Sequence, residues 1–243
     1  MDSASAVAEQ KRLSEQSLEL ATLAGGLAHE IRNPLSTMSM NLDLLAEDLH
    51  EEDNPRARRM LKRISVLKKE CDSLEDILNA FLQFARAGEL DLQELSLNDC
   101  VTEYAQFLEA EATGRSVSLR MHLDSNLPPV RGDRALLRQV MANLGRNALE
   151  AMPDGGSIDF LTYVRAGRVH LEVIDTGLGM DEKTRDRMFQ AFFSTRSGGS
   201  GLGLPTVRRV VEAHHGQISC ESEPGRGTRF TISLPAAGQP VTP

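Results

Sequence analysis

No stretch of the chain approaches the ~20 consecutive apolar residues of a membrane-spanning helix, so membrane insertion is not expected. Residues 1–20 are polar and lack the apolar core of a secretory signal, and the expected location is cytoplasmic. Cysteine is scarce: Cys71, Cys100 and Cys220 are odd in number and lack metal-ligand spacing, which points to buried reduced thiols. An excess of positive charge is missing too. With 27 Lys and Arg against 35 Asp and Glu, the net charge of −8 argues against nucleic acid or an anionic membrane as the main partner. An anionic ligand must then be held by local amides, a metal ion or a few basic groups. There is no internal repeat and no low-complexity tract.

What is present suffices for a core: 243 residues, 40% of them hydrophobic, allow two modest domains or one large one. From about Leu13 to Leu49 apolar residues recur in steps of three and four: Leu20, Leu23, Leu27, Ile31, Leu35, Met38, Leu42, Leu45, Leu49. That seam has a period near 3.5 residues, the spacing of coiled coils and helix bundles. It breaks at HEEDNP, where Asp53 or Asn54 can cap a new helix and Pro55 suits its first turn. It resumes at Ile64, Leu67, Cys71, Leu74, Leu78, Phe81 and Ala85. Two long helices joined by a short turn make an antiparallel hairpin, and a dimeric four-helix bundle would cover the apolar face each hairpin leaves open.

Near Gly88 the pattern changes. Helices are expected over 96–113, 133–152 (with Asp133 as cap) and 205–215. Strands are expected over 116–124, 157–164, 168–175, QISCES and TRFTISLP, with a loose tail from about Ala236. Mixed rather than alternating strands and helices favour an α/β sandwich with a mostly antiparallel sheet.

The stretch GGLAHEIRNPLS, Gly25 to Ser36, interrupts the first helix with unusual chemistry. His29 lies two residues from both Leu27 and Ile31, rotated about 200° from each, and so points away from the seam. A lone helical histidine is ordinarily a core or incidental surface residue; the neighbours here change that. Glu30 can accept a proton or hydrogen bond from the imidazole, leaving the other ring nitrogen free as a nucleophile. Asn33, at i+4, shares the histidine's face. Pro34 cannot donate to the Glu30 carbonyl and should bend the helix just past His29. The small residues Ala24, Gly25, Gly26 and Ala28 leave room for another domain to approach.

GGLAHEIRNPLS resembles the phosphoacceptor H-box of sensor histidine kinases, close to H-E-[IL]-R-N-P-L, at every position. The resemblance implies that His29 is phosphorylated, that Glu30 is its acid–base partner, and that Asn33 orients water when a partner regulator is dephosphorylated.

In the second half, VMANLGRNALEAM carries Asn143 and Asn147 four residues apart on one helix face, beside an apolar stripe of Leu137, Val140, Leu144 and Ala148. An amide oxygen is a reasonable hard ligand for Mg²⁺, although spacing alone leaves ordinary surface asparagines equally open. DTGLG, Asp175 to Gly179, stands at a strand end, where a carboxylate can accept from an exocyclic amine and glycines let a flat ring approach; alone it is a weak signal. GGSGLGLPTV then runs a glycine loop into a helix, whose free amides suit phosphate. No Lys-Ser/Thr follows, so this is not a P-loop, and no ordinary βαβ unit frames it as a dinucleotide fingerprint.

In order and spacing these segments resemble the N-, G1-, F- and G2-boxes of the histidine kinase ATP-binding domain, of the Bergerat (GHKL) fold. The resemblance implies that Asn147 binds Mg²⁺, with Asn143 beside it as a catalytic and nucleotide-binding residue. Asp175 would read the adenine amine, Gly177 and Gly179 line the base pocket, and Gly201 and Gly203 flank the triphosphate with Ser200 and Leu202. MFQAFFSTR matches the F-box and puts Ser194, Thr195 and Arg196 on the ATP lid. GRGTRF, with Thr228, resembles the strand behind the adenine. Ser200 replaces a commoner Thr, and the lid is short, as in the nitrogen-regulation branch of the family.

The resemblance spans residues 20–235 and implies a cytoplasmic histidine kinase core of α+β class. Residues 1–20 form a helical extension, 21–90 the dimerisation and histidine phosphotransfer domain, 92–236 the ATP-binding domain and 237–243 a tail. No recognisable sensor domain precedes His29. ATP and Mg²⁺ are the expected cofactors, and the expected partners are a second copy, through residues 20–88, and the receiver domain of a cognate response regulator. Two alternatives are a general GHKL ATPase, which by resemblance would carry a glutamate where Asn143 stands, and a non-catalytic phosphotransfer scaffold, whose glycine boxes would be degenerate.

Overall fold

The structure, a computed structural model, describes Ala28 and residues 30–50, 54–86, 90–196 and 199–238. The chain separates into two compact units: residues 1–86 with 196–200, and residues 87–195 with 201–243.

The first unit is a helical hairpin. Helix α1 covers 30–50 and runs unbroken through Pro34, and α2 covers Pro55–Arg86. Asn54 starts α2: its Oδ1 accepts from the amides of Arg56 at 2.9 Å and Ala57 at 2.8 Å, and Pro55 follows at the first helical position. The two helices run antiparallel. Arg32 donates to Asn79 Oδ1 at 2.8 Å and lies 3.9 Å from Glu75, while Lys68 pairs with Asp43. Leu35, Ala57, Ile64, Leu78 and Ala85 are buried, but Met38, Leu45, Leu67 and Leu74 of the same seam stay about half exposed, at 54%, 50%, 53% and 52%. The seam residues Leu20, Leu23 and Leu27 lie outside the described residues.

The second unit is a two-layer sandwich. Its elements are β1 (Gln93–Leu95), α3 (Leu97–Gly114), β2 (Val117–Leu123), β3 (Val130–Gly132), α4 (Arg134–Glu150), β4 (Gly156–Arg165), β5 (Arg168–Asp175), α5 (Glu182–Arg187), α6 (Gly203–Ala213), β6 (Gln217–Ser222) and β7 (Thr228–Pro235). Five strands form one sheet in the order β2-β4-β5-β7-β6. Only β2 and β4 run parallel; the other neighbours are antiparallel. The mixed architecture and mostly antiparallel sheet expected from the sequence are both present.

Four differences from the sequence reading stand out. β1 and β3 pair as a separate two-stranded sheet that no alternation announced, and α5 is a short helix capped by Asp181, which accepts from Thr184 N at 2.8 Å. The loose tail does not begin at Ala236, because that residue is buried and bridges Val130, and Ala237 N donates to Pro129 O at 2.8 Å. Of the three thiols only Cys100 is fully buried; Cys71 on α2 and Cys220 on β6, an end strand of the five-stranded sheet, are half-buried.

One face of the sheet meets the helices. Along β5, Val169, Leu171 and Val173 are buried and alternate with half-buried His170 and Glu172. Leu97, Val101, Tyr104 and Leu108 of α3, Val140, Met141 and Leu144 of α4, and Val207, Val210 and Val211 of α6 close over Phe160, Phe230 and Ile232. The opposite face carries a polar ladder, in which Tyr163 donates to Glu172, Glu172 pairs with Arg229, and Arg229 pairs with Glu221. Tyr104 meets Phe160 edge-on, with centroids 6.2 Å apart at 81°, and burial pushes its phenol up to about 12. The ring fits because α4 has a glycine opposite it: a Cβ on Gly145 would overlap the Tyr104 hydroxyl. Gly145→Ala is therefore expected to lower stability by about 1–3 kcal/mol through overpacking. Chemical denaturation should show part of that loss returning in the Gly145→Ala/Tyr104→Phe double variant; strictly additive losses would remove the overlap as the cause.

Candidate functional site

On α1, Glu30 and Asn33 are exposed, whereas Arg32 between them turns towards α2. Ala28 is buried; His29 lies outside the described residues. The Asn33 carbonyl accepts from Thr37 Oγ1 at 3.0 Å. An exposed glutamate and asparagine, one turn apart on a helix held by cross-hairpin bonds, present polar groups without spending them on packing.

In the α/β unit, α4 holds the two asparagines at the boundary of the core. Asn143 and Asn147 are half-buried beside buried Val140, Leu144 and Ala148, so the apolar stripe fixes their direction. At the helix end the carbonyl of Ala151 accepts from Leu178 N at 2.9 Å, which folds the DTGLG turn against α4. Asp175 closes β5, is 6% exposed, and accepts from Gly177 N through Oδ1 at 2.9 Å. Thr228 is paired in register with Asp175 on the neighbouring strand and is buried with it.

Gly179 has φ +65, and the direction of a Cβ there is filled by the Glu223 carbonyl; no other residue type fits both constraints. The turn is then tied down from behind. Gly225 N donates to Leu178 O at 2.7 Å, and the Ser222 hydroxyl binds Met180 N at 2.8 Å, Gly227 O at 3.0 Å and Thr228 Oγ1 at 3.0 Å. Sequence reasoning missed Ser222, because nothing distinguishes it locally from any serine at a strand end.

The glycine loop closes on the other side. Gly201 has φ +66, and its carbonyl accepts from Phe192 N at 3.0 Å. Leu202 is buried and precedes α6 without any side-chain cap. The start of α6 therefore offers amides to an anion, with the helix dipole adding its positive end. Gly203 stands beside α4: a Cβ there would lie 3.5 Å from Asn143 Oδ1. Of the lid residues, Thr195 and Arg196 are exposed and Ser200 is half-buried. The F-box aromatics pack against arginines, Arg187 over Phe193 at 4.2 Å and Arg208 over Phe189 at 5.6 Å.

Two comparisons follow the same division of the chain. The family described as "His Kinase A (phospho-acceptor) domain" matches residues 19–90, and "Histidine kinase-, DNA gyrase B-, and HSP90-like ATPase" matches residues 132–238. The chain belongs to the histidine kinases. It is 34% identical over 226 residues to sensor histidine kinase ZraS of Klebsiella oxytoca, covering 93% of this chain and 48% of that protein. Among solved structures, full-length ShkA in complex with AMPPNP superposes with a TM-score of 0.72 at 28% identity, over 92% of this chain and 48% of that one. The histidine kinase ThkA in complex with the response regulator protein TrrA gives 0.66 at 26%, over 94% and 66%. The chain thus spans about half the length of the ZraS it matches.

In this histidine kinase core the structure gathers Asn143 with Gly203 at the middle of α4, and Asp175 with Gly177 and Thr228 in the turn held at its C-terminal end. Among the described residues no group of three His, Cys, Asp or Glu side chains could hold a metal ion. Burial pushes the Cys220 thiol up to about 12, with the Asp175 charge adding to it, so Cys220 supplies no nucleophile near the turn. Ser222→Ala would strand the buried Thr228 hydroxyl and the Met180 amide. Thermal unfolding should show a loss of about 1–3 kcal/mol; an unchanged transition would mean the hydroxyl does not hold the turn.

Proposed function

We propose that the chain is the cytoplasmic catalytic core of an ATP-dependent protein-histidine kinase, with residues 21–90 as dimerisation and phosphotransfer domain and 92–236 as ATP-binding domain, between a helical extension (1–20) and a tail (237–243). The observation that carries it is the uncapped start of α6 at Gly203 beside Asn143, in a chain that also holds HEIRNP. A histidine ring nitrogen of His29 attacks the γ-phosphorus of ATP; the N–P bond forms, the bond to the β–γ bridging oxygen breaks, and ADP leaves. Glu30 takes the imidazole proton. The phosphoryl group then passes to an aspartate of a response regulator receiver domain, and Asn33 orients water when that aspartyl phosphate is hydrolysed. That ShkA was solved with AMPPNP and ThkA with a response regulator supports both halves of the reading.

Asp175 accepts the adenine amine, with Gly177, Gly179 and Thr228 around the base. Ser200, Gly201, Leu202 and Gly203 line the phosphates, and Thr195 and Arg196 belong to the lid. Amide oxygens on one face of α4, with no carboxylate among them, fit Mg²⁺, which keeps phosphate oxygens and water as its other ligands. Mg²⁺ held at Asn147 would supply charge neutralisation at the phosphates. His29→Gln should leave ATP affinity unchanged and abolish acid-labile, alkali-stable label from [γ-³²P]ATP. Asn147→Asp should lose most nucleotide affinity as a carboxylate meets the triphosphate. Labelling of the first variant or full affinity in the second would overturn these roles.

The half-exposed seam of the hairpin supports a homodimer through residues 20–88. At roughly 25 cal/mol per Å², covering even about 1,000 Å² of such surface is worth far more than an average hydrogen bond. In sedimentation equilibrium the wild type should be a dimer, and Leu67→Glu/Leu74→Glu a monomer that still binds ATP. A variant that stays dimeric would place the contact elsewhere.

A further inference from the structure

His214, at the C-terminal end of α6, takes no part in the chemistry above, yet the residue is 3% exposed and both of its ring nitrogens have partners. Nε2 lies 2.9 Å from Asp133 N, and Nδ1 lies 2.7 Å from the Val210 carbonyl. An amide only donates and a carbonyl only accepts, so Nδ1 carries the hydrogen and Nε2 its lone pair. Only the neutral imidazole satisfies both contacts. A second proton on Nε2 would set one N–H against another.

Asp133 is the other half of the tie. Besides donating to His214, it caps α4 by accepting from Leu136 N through Oδ1 at 3.0 Å, and Oδ2 accepts from Asp91 N at 3.0 Å. Asp91 lies just ahead of β1, which pairs with β3 directly before Asp133. Hydrogen bonds thus run from the lead-in segment through Asp133 and the imidazole into the last turn of α6. The geometry extends this further. α4 and α6 run in opposite directions: Asp133 meets His214 at one end, and Asn143 stands beside Gly203 at the other. Ten residues on α4 and eleven on α6 separate these points, about 15 Å along each helix.

We propose that neutral His214 is a positioning residue: by bonding Asp133 it sets α6 against α4, and so sets Gly203 against Asn143, and its protonation loosens both that alignment and the lead-in segment. This rests on reading Asn143 and Gly203 as part of the ATP site.

The groups facing the ring are the Asp133 carboxylate, which favours the proton, His215, which disfavours it, and Gly132 of β3, which carries no charge and whose Cβ position lies 3.3 Å from Cδ2. Burial outweighs the Asp133 charge and lowers His214 below its ordinary value. The folded chain therefore binds fewer protons at this site than the unfolded chain. Its contribution to stability is complete above about pH 6.5 and is lost as pH falls from there through the folded value.

Two readouts on the full chain test this. In ¹⁵N-labelled protein a hydrogen-bond scalar coupling should join the Asp133 amide nitrogen to His214 Nε2 at about pH 8 and vanish as pH falls through the folded His214 value, which lies below the ordinary one of about 6.5. Over the same range Mg²⁺-AMPPNP affinity should weaken roughly fivefold more in the wild type than in His214→Gln. The glutamine Oε1 accepts from the Asp133 amide but does not titrate. His214→Leu should bind roughly fivefold more weakly at neutral pH; if it fails to fold, the coupling and the glutamine profile decide. Absence of the coupling, or identical pH profiles in wild type and His214→Gln, overturns the positioning role alone. A chain that shows the coupling but binds no AMPPNP overturns the ATP-site reading, and the positioning role with it.

Discussion

The burial of one face of α4 is the contact on which the rest of the α/β unit depends. Val140, Met141, Leu144 and Ala148 sit under α3, α6 and the sheet, and their burial leaves Asn143 and Asn147 no choice of direction. The same helix positions both glycine segments. Its C-terminal carbonyl at Ala151 holds the DTGLG turn, and its middle meets the start of α6. Polar geometry here is a by-product of apolar packing: a shift of α4 by one residue would turn the asparagines by about 100° and break both glycine contacts.

An acidic protein that is to hold a polyanion has to solve an electrostatic problem locally. The proposed site would do so with few formal positive charges. It would use the start of α6, which no side chain caps, and neutral amide side chains, beside a turn in which the amides of Gly177 and Met180 are taken by Asp175 and Ser222. The arginines nearby serve mainly to pack the F-box, Arg187 on Phe193 and Arg208 on Phe189, or to pair with acids such as Glu212.

Much of this was legible in the sequence because long periodic elements declare themselves. The seam of the hairpin, the Asn54 and Asp133 caps, the alternation of β5 and the glycine-rich loop all lie in local patterns. What escaped has a common cause. β1 and β3 are three residues each and owe their existence to one another, far apart in the chain, so no local periodicity marks them. α5 is six residues with no buried face to set a period. Ser222 and His214 act through partners up to eighty-one residues away, and a lone serine or histidine does not reveal its contacts. Ala236 looked like tail because its pairing partner, Val130, belongs to the sheet that went unseen.

The strand order has a consequence for how the protein is made. β7 is the last strand in the chain, yet it lies between β5 and β6, neighbouring strands that do not touch each other. Until β7 has been synthesised and is free to pair, β5 presents an unpaired edge carrying Val169, Leu171 and Val173, and β6 has no sheet to join. The sandwich therefore cannot close before β7 is available, whereas the hairpin, complete by residue 86, can form early from contacts closer in sequence. The nascent α/β unit passes through an aggregation-exposed stage that the helical unit avoids, and its C-terminal strand is the keystone whose arrival ends that stage.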